Sequence, residues 1–222
     1  MPRTLPADQR ARLLDVALRT LEESGPEALQ ARTLTAEIGA STQAVYTLFG
    51  GMPGLFEALA AEGFARFARY VEEVPETDDP VADFFTKGAA FCDWAFAHPQ
   101  LYRLMFGLTG GARRRAGLRL TPSGRLVDFP QGQAGLDVMV STLERVKAAG
   151  RIGPVDCVIA AGQFLSATHG YVLLEIAGMF GDDGPGPQVI AELGVNLMVG
   201  LGDERTAAQR SLLAAAQRSG SA

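Results

Sequence analysis

A short predicted helix at residues 42–48 carries side chains that suit the reading of DNA bases. Gln43 can form two hydrogen bonds with the edge of an adenine, and the methyl groups of Ala44 and Thr47 can contact a thymine methyl. Val45 lies on the opposite, apolar side of the same helix. This pattern favours a helix that lies in the major groove. Solvated polar residues on a short surface helix would show the same pattern.

A second predicted helix, residues 32–38, directly precedes the short one. Arg32 and Thr33 lie in its first turn, where Arg32 can reach a DNA phosphate. Gly39 suits the left-handed end of this helix, and Ser41 is expected to cap the helix that follows. The two helices and the tight turn between them predict a helix-turn-helix.

Two longer predicted helices flank this pair along the chain. Residues 8–24 repeat apolar side chains at helical spacing, and Asp8 is expected to cap their N-terminus. After the short helix, Gly50-Gly51 breaks the chain, and Pro53 is well placed to begin a helix that reaches residue 74. The helix-turn-helix is therefore expected to rest on helices before and after it.

The composition limits the class of protein. The chain has 222 residues, of which 47% are hydrophobic and 20% charged, enough for a sizeable core. Its apolar runs fall short of about 20 residues, and its first residues do not resemble a secretory signal. We therefore expect a cytoplasmic protein with no membrane span. The net charge of −5 is unusual for a DNA-binding protein, so binding must depend on a few well-placed arginines and on low salt.

The sequence predicts an all-α fold in several parts, with no β-strand. We assign residues 1–52 to a DNA-binding domain and residues 53–74 to a connecting helix. Pro75–Pro80 is a linker and the predicted domain boundary. Residues 75–202 are then a helical-bundle domain for ligand binding and dimerisation, and residues 203–222 a disordered tail.

A long irregular stretch at residues 107–132 interrupts the second domain. Among its arginines are Arg113, Arg114, Arg115 and Arg119. Long connections of this kind usually have a function or move. The arginines indicate a solvated basic loop, or else a second DNA contact or a gate for an anionic ligand.

The segment EIGASTQAVYTLFGGMPGLFEAL resembles the TetR family of transcriptional repressors. The resemblance extends over residues 13–59, and the family's characteristic positions are occupied by Gly39, Val45, Tyr46, Phe49, Leu55 and Leu59. It implies that Thr42 and Tyr46 contact phosphates. It also implies a second, helical domain that binds a small and often lipophilic effector.

Three positions depart from the family pattern. Met52 stands where family members commonly have a lysine that contacts a phosphate, and Gln30 stands where a Thr or Ser cap is frequent. Losing one phosphate contact should lower the salt slope by about one unit without changing base choice. Leu165–Gly170 resembles the Trp-x-x-x-His-Gly segment of one TetR subgroup, with Leu165 in place of the tryptophan.

Aromatic and polar side chains in the second domain are the candidates for effector binding. Most apolar residues at helical spacing are packing, but pockets between bundle helices use the same residue types. A structural hydrogen bond of His169, or a helix-start role of His98 before Pro99, would explain those residues equally well. The predicted effector-binding residues are Phe91, Trp94, His98, Tyr102, Met105, Phe106, Met139, Phe164, Thr168 and His169.

The last two long helices, within residues 155–202, are too apolar all round for solvated surfaces. Pairing with the same helices of a second chain would bury them and would present two recognition helices to a DNA operator. The predicted function is therefore a homodimeric, ligand-responsive DNA-binding regulator, most simply a repressor. An activator, a protein that acts through a protein partner, or an α-helical enzyme are the alternatives.

No residues with catalytic or metal-binding spacing are found in the sequence, and no cofactor is expected. The two histidines and the absence of a Gly-rich phosphate loop leave little basis for an enzyme. Cys92 and Cys157 lie within apolar helical patterns and are expected to be buried free thiols.

Overall fold

The computed structural model describes residues 6–109, 119–121, 125–127 and 130–219. Over these ranges the chain forms ten α-helices and one antiparallel pair of two-residue strands, in which Arg119 lies opposite Val127. The helices are α1 (Pro6–Ser24), α2 (Ala31–Glu37), α3 (Gln43–Phe49), α4 (Met52–Glu72), α5 (Pro80–Ala97), α6 (Pro99–Met105), α7 (Pro130–Ala148), α8 (Cys157–Ile176), α9 (Gly186–Gly200) and α10 (Arg205–Ser219). The strands are β1 (Arg119–Leu120) and β2 (Leu126–Val127).

The all-α prediction is confirmed, with β1 and β2 as a local exception. No residue pattern predicted this ladder, because two residues per strand are too few for an alternating pattern. Arg113, Arg114 and Arg115 lie outside the described residues.

The chain divides into two compact units within α4. The first unit contains Met1–Arg66, His98–Leu120 and Leu126–Gly132, and the second contains Phe67–Ala97, Thr121–Arg125 and Gln133–Ala222. The predicted boundary at residues 75–80 is a true break between α4 and α5, but both of its flanks belong to the second unit. The polar linker therefore marks a turn between helices and not the division of the chain.

In the first unit, α1 supplies the apolar face on which the short helices rest. Leu13 and Leu21 of α1 are completely buried, as are Leu34 of α2, Val45 of α3 and Leu55 of α4. Each inward leucine contributes about 1.5–3 kcal/mol by leaving water. Helices of seven residues would not be stable alone, so this shared core holds α2 and α3 in place.

Glycine sets the turns on both sides of α3. Gly39 has φ 68° and Gly50 has φ 74°, a left-handed conformation that glycine adopts without strain. The predicted cap by Ser41 is wrong. The N-cap position is Thr42, in helical conformation, and no side chain caps this end; the Ser41 carbonyl instead accepts from the Ala44 N–H.

Helix α6 belongs to the first unit, although it directly follows α5. It packs against α1, and the Leu101 N–H donates to Glu22 Oε1 at 3.2 Å. His98 Nδ1 lies 3.8 Å from the same carboxylate. Burial raises the pKa of Glu22, and the hydrogen bonds and His98 offset this only in part. The start of α6 is thus tied to α1 through one carboxylate.

In the second unit, α5 is the central helix. Val81 and Ala95 are completely buried, and Phe84, Phe91 and Trp94 are nearly so. Helix α10 packs along α5, and α8 packs against both α5 and α9. Cys92 and Cys157 are buried and free, as predicted.

The predicted disordered tail at residues 203–222 is wrong over most of its length, because α10 is a packed helix. Arg151 holds Asp203 just before this helix with two bonds of 2.7 and 2.8 Å, and these bonds raise the pKa of the guanidinium. Ser211 within the helix donates to Asp79 at 2.8 Å. The Ala-rich sequence looked too polar to pack, but its buried side is made of alanine and serine, which permit a close approach to α5.

A fully buried carboxylate, that of Asp83, joins three parts of the second unit. It accepts from the backbone N–H and the hydroxyl of Thr77 at 2.8 and 2.7 Å, from Arg145 at 3.1 Å and from Arg218 at 3.0 Å. Burial alone would raise its pKa, but these four bonds outweigh it and hold the pKa below 3.8. The α4–α5 linker, α7 and α10 are thereby fixed to α5.

By length and composition α8 is a helix that could cross a membrane, and the bent pair α3–α4 passes the same test together. The interrupted apolar runs of the sequence had predicted no helix of this kind. Buried core helices of ordinary globular proteins share these properties. Ser166, Thr168 and His169 lie in the middle of α8.

We predict that Asp83→Asn destabilises the folded protein by about 3–5 kcal/mol, because it leaves two arginines without their buried partner. The measurement is urea unfolding at pH 7. Since the folded pKa lies below the unfolded value, the stabilisation by Asp83 is present above about pH 4 and is lost as the pH falls through the folded pKa. The difference in the free energy of unfolding between variant and wild type should become smaller as the pH falls over that range.

Asp182→Asn is the matched control, since Asp182 is exposed in the turn before α9. This substitution should change the free energy of unfolding by less than about 0.5 kcal/mol. Equal stability of the two variants would contradict the role assigned to Asp83.

Candidate nucleic-acid interface and ligand cavity

Helix α3 presents one polar face to solvent. Val45 is completely buried against the core, while Gln43, Tyr46 and Thr47 are exposed and Ala44 is half-exposed. Tyr46 is 61% exposed, which is unusual for an aromatic side chain without a partner on the outside. The predicted base-reading residues therefore share one accessible side of a short, well-anchored helix.

The turn after α3 is shaped around Tyr46. Gly51 has φ 109°, and a Cβ built there would lie 3.5 Å from the Tyr46 ring. Just before the turn, Phe49 at the end of α3 lies under the guanidinium of Arg10, 4.9 Å from the ring centroid. The Tyr46 ring therefore lies against the backbone of Gly51.

Ser41 and Thr42 extend this face towards α2, and both are exposed. At the start of α2, Arg32 and Thr33 are also exposed, and the N-cap residue Gln30 makes no side-chain capping bond. All eight residues predicted to contact DNA are therefore accessible or half-accessible on α2, α3 and the turn between them.

The charges around this face are mostly internally paired. Arg19 forms an ion pair with Glu37, and Arg66 pairs with Glu62 at 2.8 Å. Arg12 and Arg32 are exposed and form no ion pair with any other residue that the structure describes. These two guanidinium groups are the ones most available to a phosphate backbone.

A cavity of about 490 Å³ lies within the second unit, bounded by α4, α5, α7, α8, α9 and α10. Its wall is mainly aromatic and aliphatic, with six phenylalanines: Phe67, Phe84, Phe85, Phe91, Phe96 and Phe164. The volume is in the range of pockets for small organic molecules. The polar side chains on the wall are few: Lys87, Asp93, Thr142, Thr168 and Tyr171.

Four of the ten predicted effector-binding residues line this cavity. They are Phe91, Met139, Phe164 and Thr168. Trp94 and His169 belong to the same unit but do not line the cavity. Trp94 packs its ring edge-on against Phe67 at 5.4 Å, and burial lowers the pKa of His169.

The remaining four predicted residues belong to the first unit and do not line this cavity. His98 faces Glu22, and Tyr102 and Met105 are buried in the core formed with α1 and α4. Phe106 contacts Phe64 edge-on at 5.6 Å. Helical periodicity correctly indicated that α6 is apolar but could not indicate which unit it packs in.

Sequence reasoning missed the cavity residues of α4, α9 and α10. Phe67 and Val71 come from the end of the presumed connecting helix, and Leu212 comes from the presumed tail. In α9, Gly194 allows α9 to approach Phe85, since a Cβ there would lie 3.2 Å from the ring. A helical glycine in an otherwise apolar run was the one available signal for that close approach.

The ionisable side chains of the cavity wall differ in their bonding partners, and burial raises the pKa values of several of them. Lys87 is 8% exposed, and its Nζ donates to Glu76 at 3.0 Å and to Thr142 at 3.1 Å. Burial raises the pKa of Asp93. Burial also raises the pKa of Cys92 to about 12, and the carboxylate of Asp93 adds to this effect. Burial also raises the pKa of Tyr171 to about 12. The cavity is therefore a low-dielectric site in which a charge on a ligand would have a large effect.

Two models of known protein families match the sequence. Residues 13–59 match the family described as "Bacterial regulatory proteins, tetR family", and residues 84–198 match "Tetracyclin repressor-like, C-terminal domain". A 74-residue stretch, 33% of this chain, is 32% identical to the HTH-type nicotine-responsive transcriptional repressor HdnoR from Paenarthrobacter nicotinovorans. The chain matches 38% of that protein's length.

Solved structures share the fold along most of the chain. A protein of unknown function from Rhodococcus sp. RHA1 is 28% identical, with a TM-score of 0.71 over 91% of this chain and 98% of the other. The complex of RolR with resorcinol is 16% identical, with a TM-score of 0.64 over 93% and 94% of the two chains. With an N-terminal match over the helix-turn-helix and a C-terminal match over half of the sequence, this chain belongs to the TetR family of transcriptional regulators.

Proposed function

We propose that this protein is a homodimeric, ligand-responsive repressor that leaves its DNA operator when a small, mainly apolar effector binds. One observation carries the proposal. An exposed, base-reading helix in the first unit and a ligand-sized cavity in the second are connected by continuous helix α4. A regulator that senses a small molecule needs these two sites and a connection between them.

In this proposal α3 is the recognition helix. Gln43 reads an adenine, Ala44 and Thr47 contact a thymine methyl, and Thr42 and Tyr46 bind phosphates on either side. Ser41, Arg32 and Thr33 add contacts to the backbone. Because Met52 replaces a cation and most nearby charges are paired, affinity should depend strongly on the few free arginines and on salt.

The effector binds in the aromatic cavity of the second unit. RolR was solved with resorcinol, and HdnoR is described as nicotine-responsive, so proteins with this fold or with similar sequence respond to small aromatic molecules. A cavity of about 490 Å³ admits a molecule of that class. The predominantly apolar wall supports a ligand that gains most of its affinity by leaving water.

Helices that line the cavity lead into the first unit: α4 has residues in both units, and α5 is followed directly by α6. Phe67 and Val71 lie on α4, which begins at Met52 shortly after the recognition helix. Phe96 lies near the end of α5, from which the chain passes directly into α6, tied to α1 by Glu22. A ligand that favours one arrangement of α4 and α5 would shift the population away from the state that fits the operator.

A second copy of the chain is expected to cover the outer faces of α8 and α9. Ile159 and Leu174 of α8 are 58% and 40% exposed, and Val189 of α9 is 42% exposed. A Cβ at Gly162 or Gly170 would meet nothing within 4 Å, so this surface allows another helix to approach closely. Gln163 and Ser166 on the same face are better matched by protein than by lipid, and we propose a cytoplasmic dimer.

The enzyme alternative has little support. Within the described part of the chain, no group of three or more His, Cys, Asp or Glu side chains could hold a metal ion. An enzyme would need ionisable groups such as Asp93, His98, His169 and Glu175 in one cleft, and of these four only Asp93 lines the cavity.

We predict that Gln43→Ala weakens binding to the cognate operator by about 1–3 kcal/mol and relaxes base preference at one position. The measurement is fluorescence anisotropy with fragments of the gene's own upstream region at low salt. Footprinting on the same fragments distinguishes a repressor, which covers the promoter, from an activator bound upstream of it.

Gln209→Ala, on an exposed side of α10, is the control and should bind the operator as wild type does. Met52→Lys should act in the opposite sense, tightening binding to all sequences and steepening the salt dependence by about one unit. Absence of binding to every upstream fragment at low salt would refute the proposed function.

Filling the cavity should separate the effector site from the DNA-binding surface. Ala191 lines the cavity, and Ala191→Trp is expected to weaken binding of the neutral dye Nile red by about tenfold or more, equivalent to 1.4 kcal/mol. Operator affinity should not change. Leu213→Trp, on the exposed side of α10, controls for the added indole, and equal dye binding by both variants would place the dye elsewhere.

Charges on the α8–α9 face should break the dimer. Sedimentation of the wild type should give about twice the chain mass of 23.5 kDa, whereas the double variant Leu174→Glu, Val189→Glu should sediment as a monomer and lose operator affinity. Leu213→Glu places the same charge on a 65% exposed residue of α10 and should remain a dimer. If the double variant is still a dimer, the interface must lie on another surface.

A further inference from the structure

Asp93 is a carboxylate on the wall of the cavity, and no described residue forms a hydrogen bond or ion pair with it. It lies on α5 and lines the aromatic cavity together with Phe96, one turn further along the same helix. No N–H, O–H or cation among the described residues donates to it. Acidic side chains in such walls are normally paired, because an unpaired charge in apolar surroundings is costly.

The side chain of Asp93 is accessible to solvent and partly enclosed by protein atoms. The residue is solvent-exposed by area, yet burial raises its pKa. These two properties coexist when a side chain faces a cavity that water can enter but that protein atoms enclose. The effect of Asp93 on the pKa of the buried Cys92 thiol fits the same position.

Lys87 is the one cation among the described residues of the wall, and it does not compensate Asp93. It forms an ion pair with Glu76 at 3.0 Å and donates to Thr142 at 3.1 Å, so its charge is already balanced. The described part of the wall therefore presents a net negative charge to a ligand. Within this part, an anionic effector would meet Asp93 without a free cation to stabilise it.

Aromatic rings near Asp93 suit the same kind of ligand as the carboxylate. Phe96 contacts Tyr171 with ring centroids 6.0 Å apart, and Phe67 contacts Phe91 at 4.9 Å; all four rings line the cavity. The faces of such rings attract cations. A carboxylate among aromatic rings is the combination that recognises an apolar ammonium ion.

We infer that the effector is an apolar, aromatic-sized molecule bearing a positively charged nitrogen, and that Asp93 determines this specificity by pairing with that nitrogen. The inference rests on the proposed function only in taking the cavity as the effector site. It adds the charge of the ligand, which the family assignment leaves open.

The test uses three molecules that share one apolar body and differ in the charge of the head group. They are 4-tert-butylbenzylammonium, 4-tert-butylbenzyl alcohol and 4-tert-butylbenzoate, titrated into the full-length protein at pH 7 by calorimetry. Trp94, the only tryptophan of the chain and the neighbour of Asp93, provides an independent fluorescence signal. We expect the ammonium to bind tightest and the benzoate weakest.

Asp93→Asn should weaken the ammonium about 10- to 100-fold and the alcohol by less than about threefold, as expected for loss of a charge-assisted contact. Asp93→Glu keeps the charge and should retain a preference for the ammonium over the alcohol. Asp182→Asn removes a carboxylate outside the cavity wall and should leave all three affinities unchanged. Thermal unfolding without ligand checks that each variant is folded.

The proposal is overturned if the alcohol or benzoate binds the wild type as tightly as the ammonium, if the ammonium does not bind at millimolar concentration, or if Asp93→Asn leaves the preference intact. Operator binding is measured separately on the same samples. Operator binding without charge preference refutes only this inference, whereas charge preference without operator binding refutes only the proposed repressor function.

Discussion

The buried carboxylate of Asp83 imposes the constraint on which the second unit depends. A fully buried charge must be completely satisfied, and its four bonds come from the α4–α5 linker, α7 and α10. The cavity wall is made of α5 and the same helices α7 and α10, together with α4, α8 and α9. The polar network thus fixes α7 and α10, two of the helices that bound the cavity, to α5.

Much of the first unit follows directly from local sequence. The apolar spacing of α1, the left-handed glycines at 39 and 50, and the outward polar residues of α3 are all local signals, and the structure places them as expected. The capping prediction for Ser41 was wrong for a local reason as well. The backbone carbonyl of Ser41 meets the Ala44 N–H at the start of α3, and no side chain caps this end.

The second unit was less predictable, because its features depend on which helices meet. Helix α8 is apolar on all sides for two different reasons: Phe164 and Tyr171 face the cavity, whereas Ile159 and Leu174 face outward. Composition alone cannot separate these faces. Helix α10 was missed because its inner side is alanine and serine, and α6 was assigned to the wrong unit because its apolar pattern is compatible with either core.

Only some of the helices that line the cavity lead into the first unit, and this limits how a ligand could act on the recognition helix. A molecule that touched only α8 to α10 would contact no helix that has residues in both units. Helices α4 and α7 have residues in both, and α5 is followed directly by α6 of the first unit. Binding energy shifts an equilibrium only through contacts that differ between two states. In the proposed mechanism, contacts with α4, α5 and α7 therefore convert effector binding into a change at the recognition helix, while the remaining wall contributes affinity.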